Sequence, residues 1–376
     1  MSNVELLRSE SDDRFDPDPA RSYTLRAKYY IDPAVAEREK EAVFYRSWNF
    51  VGHVEQLPEV GSYLACRVLD QDLFVIRGKD GELRAFYNVC KHRAHELVKG
   101  QGRTKAIVCP YHAWSYHLDG RLRTARGSEK TAEFDASEFC LSQVQVEVFC
   151  SFVFVNLDPG APSLASQTPG LEAEIRSHCP AIDKLTFAYR LTYEIEANWK
   201  NVVDNYLECY HCTPAHPAFV DLVDIKNYRS VTHRIHSSHT TPGSRADSKA
   251  YSFDEATATQ QGFGGWWLWP NLTFNTFPGR GNVTLMHIMP SGPESTLEHF
   301  DFYFPESTPN EEEMAAIRYI DEVLQVEDIG LVESVQRGLH SRGYDQGRFI
   351  VDKDRTEMSE HAVHHFHALV LEALNS

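Results

Sequence analysis

With 376 residues, 42% of them hydrophobic and 24% charged, the chain has a globular composition and room for two domains. A net charge of −17 argues against nucleic acid as a partner, and no stretch reaches the ~18 uninterrupted apolar residues of a membrane span. Eight cysteines are too sparse for a disulfide scaffold; six of them (Cys66, Cys140, Cys150, Cys179, Cys209 and Cys212) read as reduced thiols and the protein as cytoplasmic.

The acidic, polar start MSNVELLRSESDDRFDPDPARS is neither a signal peptide nor a basic transit peptide in character. A helix is predicted after it, with Asp32 as N-cap, Pro33 at the first helical position and AVAEREKEAVF following. Residues 1–46 are therefore an N-terminal segment plus helix. From 47 to 157 the chain turns to short β-rich runs (GSYLACRVL, DLFVIRG, ELRAFYNV, CSFVFVNL) broken by turns such as Lys79-Asp80-Gly81 and Asp119-Gly120. The Pro/Gly/Ser stretch 158–167 marks a boundary to a larger domain, 158–376. There, LEAEIRSHC and residues 201–212 are predicted helices. FAYRLTYEIEA, NLTFNTF, NVTLMHIMP and LEHFDFYF suggest an antiparallel sheet, and EEEMAAIRYIDEVLQ and SEHAVHHFHALVLEAL are closing amphipathic helices. The fold class is α+β: a small all-β domain, then a larger domain with an antiparallel sheet and flanking helices.

The β-rich part carries Cys90-Lys91-His92 and, after sixteen intervening residues, Cys109-Pro110-Tyr111-His112. This C-x-H and C-x2-H pattern suits a [2Fe–2S] cluster with two thiolates on one iron and two imidazoles on the other. Neutral imidazoles in place of two thiolates make such a cluster accept an electron more readily. Two cysteines and two histidines also suit tetrahedral zinc, although zinc fingers usually pair cysteine with cysteine and histidine with histidine.

The larger part carries NWKNVVDNYLECYHCTPAHP, residues 198–217. On the predicted helix Glu208 and His211 share a face. Pro214 discourages helix from Thr213 onward, so His216 can return from a loop to the same point. Two histidines with one distant carboxylate form the triad of a non-haem Fe(II) oxygenase, which leaves positions open for O2 and substrate. Cys209 and Cys212 invite a rival reading as a zinc or redox pair, but no second thiol pair lies at suitable spacing. The carboxylate ligand lies further along, where Glu327, Asp328 and Glu333 compete.

The strings AFYNVCKHRAHEL, CPYHAWSYHLDG, NWKNVVDNYLECYHCTPAHP and LVESVQRGLHSRGYDQGR resemble the Rieske non-haem iron oxygenases. The match is to their quaternary-ammonium branch, which acts on carnitine, gamma-butyrobetaine, glycine betaine, choline and stachydrine. The resemblance runs from about Tyr29 onward. It implies a Rieske cluster on Cys90, His92, Cys109 and His112, and mononuclear Fe(II) on His211, His216 and Asp328. It also gives Glu208 a catalytic role as a bridge between the two centres; most of the family has Asp there, and this branch has Glu. Where the family usually reads Cys-Pro-His-Arg-Gly-His, this chain reads Cys90-Lys91-His92-Arg93-Ala94-His95. Ala94 adopts positive φ less easily than glycine and Lys91 adds a charge, which touches the cluster's potential rather than its ligands.

The implied protein is the terminal oxygenase of a monooxygenase that hydroxylates its substrate, leading to N-demethylation or C–N cleavage. It takes electrons from a separate NAD(P)H-dependent flavin/iron–sulfur reductase, acts on a small molecule and O2, and assembles as a homotrimer. No nucleic acid or membrane partner is expected. A quaternary ammonium needs aromatic faces, for which Tyr206, Phe263, Trp266, Trp267 and Trp269 are candidates, although strand-core aromatics also simply pack. His361, His364, His365 and His367 are placed on a helix surface without a role. The alternatives are a ring-hydroxylating dioxygenase on an aromatic substrate, a Rieske electron carrier and a zinc-binding structural protein. Length and the His211/His216 motif disfavour the carrier.

Overall fold

The computed structural model describes residues 14–376, so most of the acidic start lies outside the described residues. The described chain separates into two compact units: Phe44–Pro169, and residues 14–43 together with Gly170–Ser376.

Among the described residues the unit Phe44–Pro169 is built of short strands. They are β1 (Asn49–His53), β2 (Ser62–Val68), β3 (Gln71–Arg77), β4 (Leu83–Tyr87), β5 (Gln101–Arg103), β6 (Ile107–Val108), β7 (Ser115–Tyr116), β8 (Leu122–Thr124), β9 (Gln143–Phe149) and β10 (Phe152–Asn156). One sheet runs β1-β10-β9-β4-β3-β2-β5 and a small one β6-β7-β8. In β3 the run Leu73, Phe74, Val75, Ile76 is wholly buried, as expected of a central strand covered on both faces. The core around Phe74, Phe86, Trp114, Tyr116 and Leu141 takes in Cys90 and Cys109. Both ligand pairs lie in loops, one between β4 and β5 and one between β6 and β7. Residues 158–169, which the sequence assigns to the larger domain, instead belong to this unit. The reason is local: Gln145 Nε2 donates to Asp158 O, Glu147 Oε2 accepts from Leu164 N–H, and Leu164 is buried.

The other unit holds a sheet ordered β11-β17-β16-β15-β14-β13-β12. Its strands are β11 (Thr186–Ile195), β12 (Arg229–Thr232), β13 (His236–Thr240), β14 (Gly264–Leu268), β15 (Leu272–Thr276), β16 (Val283–Gly292) and β17 (Ser295–Phe304), each paired antiparallel with its neighbours. The helices used below are α1 (Pro33–Ala42), α2 (Leu171–His178), α3 (Trp199–Tyr206), α4 (Glu311–Tyr319), α5 (Gln325–Leu339) and α6 (His361–Asn375). Helix α1 starts as predicted, with the Asp32 carboxylate accepting from Ala34 N–H at 2.8 Å. It is tied to α3 by a buried ion pair, Lys200 Nζ to Glu39 Oε1 at 2.6 Å, and Glu39 also accepts from Trp199 Nε1.

Three expectations are corrected. The helix predicted over 201–212 ends at Tyr206, and a turn follows before the short helix Cys212–Ala215. Pro214 is tolerated there because it sits in the first turn, where its missing N–H has no intrahelical partner to lose. The helix predicted from EEEMAAIRYIDEVLQ continues through a π turn, Ile320–Leu324, into α5. The C-terminal histidines are not a surface row: His361, His364 and His367 are buried on α6. His367 Nδ1 accepts from Leu25 N–H, and its Nε2 faces Asp204 and Tyr30.

Candidate metal centres and substrate cavity

The two Cys/His loops share one backbone design. Cys90 N–H donates to His95 O and Ala94 N–H to Cys90 O; Cys109 N–H donates to Trp114 O and Ala113 N–H to Cys109 O. In each loop the fourth residue after the cysteine is an alanine in the left-handed region, Ala94 at φ 54 and Ala113 at φ 60. Ala94 thus adopts the conformation that glycine takes more readily, at a cost of about 1 kcal/mol. The cysteines are buried, whereas His92 is exposed and His112 half-buried. The two imidazoles stand edge to face at 4.6 Å, and His92 stacks on Trp114 at 4.8 Å. Backbone N–H groups of Tyr111 and His112 donate to the Cys109 sulfur, and the Tyr116 hydroxyl lies 3.3 Å from the Cys90 sulfur. Such donors favour the reduced cluster. Lys91 Nζ donates to Ser142 Oγ at 2.6 Å. Two buried sulfurs beside two paired imidazoles fit a [2Fe–2S] cluster.

The second centre forms where α3 stops. Glu208 Oε2 accepts from His211 N–H at 3.1 Å, closing the turn, and Glu208 Oε1 lies 2.6 Å from His211 Nδ1. The disulfide Cys209–Cys212, with Cα atoms 4.8 Å apart, spans the same turn. It overturns both the reduced-thiol reading and the zinc-pair rival at these positions, because the early helix end brings the two residues within bonding range. His216 Nδ1 donates to Glu327 Oε2 at 2.7 Å, and its Nε2 lies 3.0 Å from Asp328 Oδ1. His211 Nε2 lies 3.6 Å from the same oxygen. Each imidazole therefore has Nδ1 fixed by a glutamate and Nε2 turned toward Asp328, the arrangement by which outer carboxylates orient metal-binding histidines. One atom each of His211, His216 and Asp328 lie within 4.8 Å of one another, a set that fits one iron. Of the sequence's competitors, Glu333 accepts from Glu196 N–H, and Glu327 is not a solvated bystander but the partner of His216.

A cavity of about 100 Å³ opens on these residues. Six rings wall it: Tyr206, Phe219, Tyr228, Phe263, Phe277 and Phe300. Of the rings named as candidates from the sequence, Tyr206 and Phe263 lie on this lining. Trp266, Trp267 and Trp269 are not on its lining: Trp266 meets His178 edge-on at 5.0 Å, and Trp267 meets Phe366 and Trp269. Strand β14 is buried along its whole length, so aromatic character alone could not say which rings face the cavity. The other wall rings were missed because they are scattered between 219 and 300; only the fold gathers them. Glu208 and Asp328 are the acidic residues on the lining, and no Lys or Arg is found there among the described residues. His239, also on the lining, lies between the Tyr228 hydroxyl at 2.6 Å and Ser237 Oγ at 2.8 Å. Burial pushes its pKa down to about 3, so the ring is neutral.

A second, outer cavity of about 310 Å³ is lined by Tyr30, Asp204, Leu331, Val335 and Glu360 among others. Asn205, Glu208 and His211 line both cavities.

Residues 182–376 match the family described as the ring-hydroxylating alpha subunit, catalytic domain, and residues 47–135 match the Rieske [2Fe-2S] domain. The carnitine monooxygenase oxygenase subunit of Escherichia coli (strain K12) is 41% identical over 360 residues, spanning 95% of this chain and 96% of that protein. The chloroplastic choline monooxygenase of Beta vulgaris is 31% identical, over 99% of this chain and 81% of that protein. A solved quaternary ammonium Rieske monooxygenase, described as revealing carnitine oxidation by gut microbiota and inter-subunit electron transfer, superimposes with a TM-score of 0.88 at 38% identity. It covers 96% of this chain and 99% of its own.

Proposed function

The chain belongs to the Rieske non-haem iron oxygenases, and from that premise we propose that it is the oxygenase component of a monooxygenase acting on a quaternary ammonium compound. The observation that carries the substrate class is the inner cavity, with its six rings, two carboxylates and neutral His239. A quaternary ammonium has no N–H to donate, so it is held by ring faces and nearby negative charge. The carnitine- and choline-oxidising relatives point to the same class.

Cys90, His92, Cys109 and His112 would hold the Rieske cluster, and His211, His216 and Asp328 the mononuclear iron. Together these groups supply single electrons and O2 activation. The protein's part is placement. Glu208 and Glu327 hold the Nδ1 protons of His211 and His216, fixing which nitrogen faces the metal. The ring wall brings a carbon of the cation beside that face and excludes water. Hydroxylation of an N-methyl carbon gives a carbinolamine-type product that expels formaldehyde; hydroxylation of the backbone carbon bonded to nitrogen gives one that breaks its C–N bond, leaving an aldehyde and a tertiary amine.

Electrons would come from a separate NAD(P)H-dependent reductase, in the cytoplasm. The assembly is a homotrimer in which Glu208 also accepts from His112 of a neighbouring copy. Two observations support that arrangement. Glu208 can be approached from the outer cavity, and beside it α5 exposes Val326, Leu331 and Val335, an apolar face suited to a protein partner. No described helix is long and apolar enough to cross a membrane.

The test is O2 uptake with product analysis against carnitine, gamma-butyrobetaine, glycine betaine, proline betaine and choline, with a competent reductase. Substrate-dependent uptake and a dealkylated or cleaved amine are expected from at least one of them. Turnover of naphthalene with no response to any of these cations would reject the reading.

A further inference from the structure

Gln325 opens α5 immediately after the π turn Ile320–Leu324 and stands one helical turn before Asp328. The wider π turn re-aims the helix, so that Leu324, Gln325 and Asp328 all reach the inner cavity. Gln325 is only 4% exposed and lines that cavity, and among the described residues its side-chain amide makes no hydrogen bond to the protein. The other neutral polar groups on that lining are engaged. The Tyr206 hydroxyl donates to Asn275 Oδ1 at 2.8 Å, Asn275 Nδ2 to Thr273 Oγ1 at 2.7 Å, and Asn205 Nδ2 to Asp328 Oδ1 at 3.0 Å. The Tyr228 hydroxyl pairs with His239. An amide on a cavity wall with no protein partner is free to bond water or a ligand there.

We propose that Gln325 is a specificity-determining residue, whose amide N–H donates to the oxygen-bearing end of the substrate while the ring wall holds the cationic end. This rests on the quaternary-ammonium reading and extends it. The polar end is read by a neutral donor, not by a salt bridge, so a hydroxyl and a carboxylate tail are both served.

The test measures Kd by calorimetry on the metal-loaded full chain for two matched pairs: choline against ethyltrimethylammonium, and gamma-butyrobetaine against butyltrimethylammonium. In the natural protein, removing the oxygen function is expected to weaken binding roughly tenfold. In Gln325→Met, which keeps the length of the side chain, the members of each pair should bind within about twofold of each other. In Gln325→Glu the added charge should repel the carboxylate, so gamma-butyrobetaine is lost and choline is retained, a reversal that a packing defect would not produce. Iron content and cluster absorption should stay unchanged in both variants. The assignment is overturned if the oxygen contributes nothing in the natural protein, if its contribution survives in Gln325→Met, or if the variants lose iron. Should one variant fail to fold, the other decides. If the natural protein binds none of the four cations, the quaternary-ammonium reading itself fails, and this inference with it.

Discussion

His211, His216 and Asp328 offer three atoms to one point, and each is needed for a complete set. His211→Ala, His216→Ala and Asp328→Ala are each expected to lose the mononuclear iron while keeping the visible absorption of the cluster, because the two proposed centres share no ligand. Glu327→Ala should keep all three ligands yet weaken iron binding by roughly 10–100-fold, since His216 loses the carboxylate that orients it; metal titration reads this directly. Histidine and cysteine spacing made the two candidate centres legible before any fold was known. Asp328 was legible only through resemblance, because one acid among Glu327, Asp328 and Glu333 looks like another until the helix phase is fixed. Glu327 was illegible for the same reason: its partner lies 111 positions earlier in the chain.

At the scale of elements, the strands and most helices could be read from periodicity and caps, while the functional breaks could not. Helix α3 gives out six residues early because the Glu208 carboxylate takes the backbone N–H of His211 and a disulfide closes the turn, and neither has a periodic signature. Strand β14 hid the roles of its tryptophans because burial on both faces erases alternation. Strand β13 carries a pH dependence. Burial holds His236 and His239 down to about 3 from the ordinary 6.5. Between those values the unfolded chain takes up protons at both rings and the folded chain does not. Stability from this source is therefore full above pH 6.5 and falls as the pH drops toward 3, by about 1.4 kcal/mol per ring per pH unit. Urea midpoints at pH 7.5, 6.5 and 5.5 should show that decline. Among the described residues neither ring nitrogen of His236 has a hydrogen-bond partner, so His236→Phe should flatten the slope; an unchanged slope would show that this ring does not titrate as described.

At the scale of the whole molecule, the key residue is Glu208, because it touches His211 on one side and is open to the outer cavity on the other. If it relays between centres in neighbouring subunits, Glu208→Ala should keep both metals and a reducible cluster. Product formation should nevertheless fall by roughly 100-fold or more. Near-normal turnover in that variant, or a monomer that stays fully active on dilution, would exclude the inter-subunit route. The α+β organisation was legible from the change in texture along the chain. The assembly could be inferred only from resemblance, since the contacts that would hold it are made by no residue pattern within one chain.

Two chambers that share a wall can be blocked independently. A compound filling the outer cavity, with Leu331, Val335 and Tyr30 for apolar contact and Asp204 and Glu360 for charge, would press on Glu208 without occupying the place of the substrate. Its inhibition would lower kcat and leave KM for the cation unchanged, so raising the substrate concentration would not relieve it. A blocker of the ring-walled chamber would show the opposite pattern, and steady-state kinetics alone would tell which chamber a given inhibitor had found.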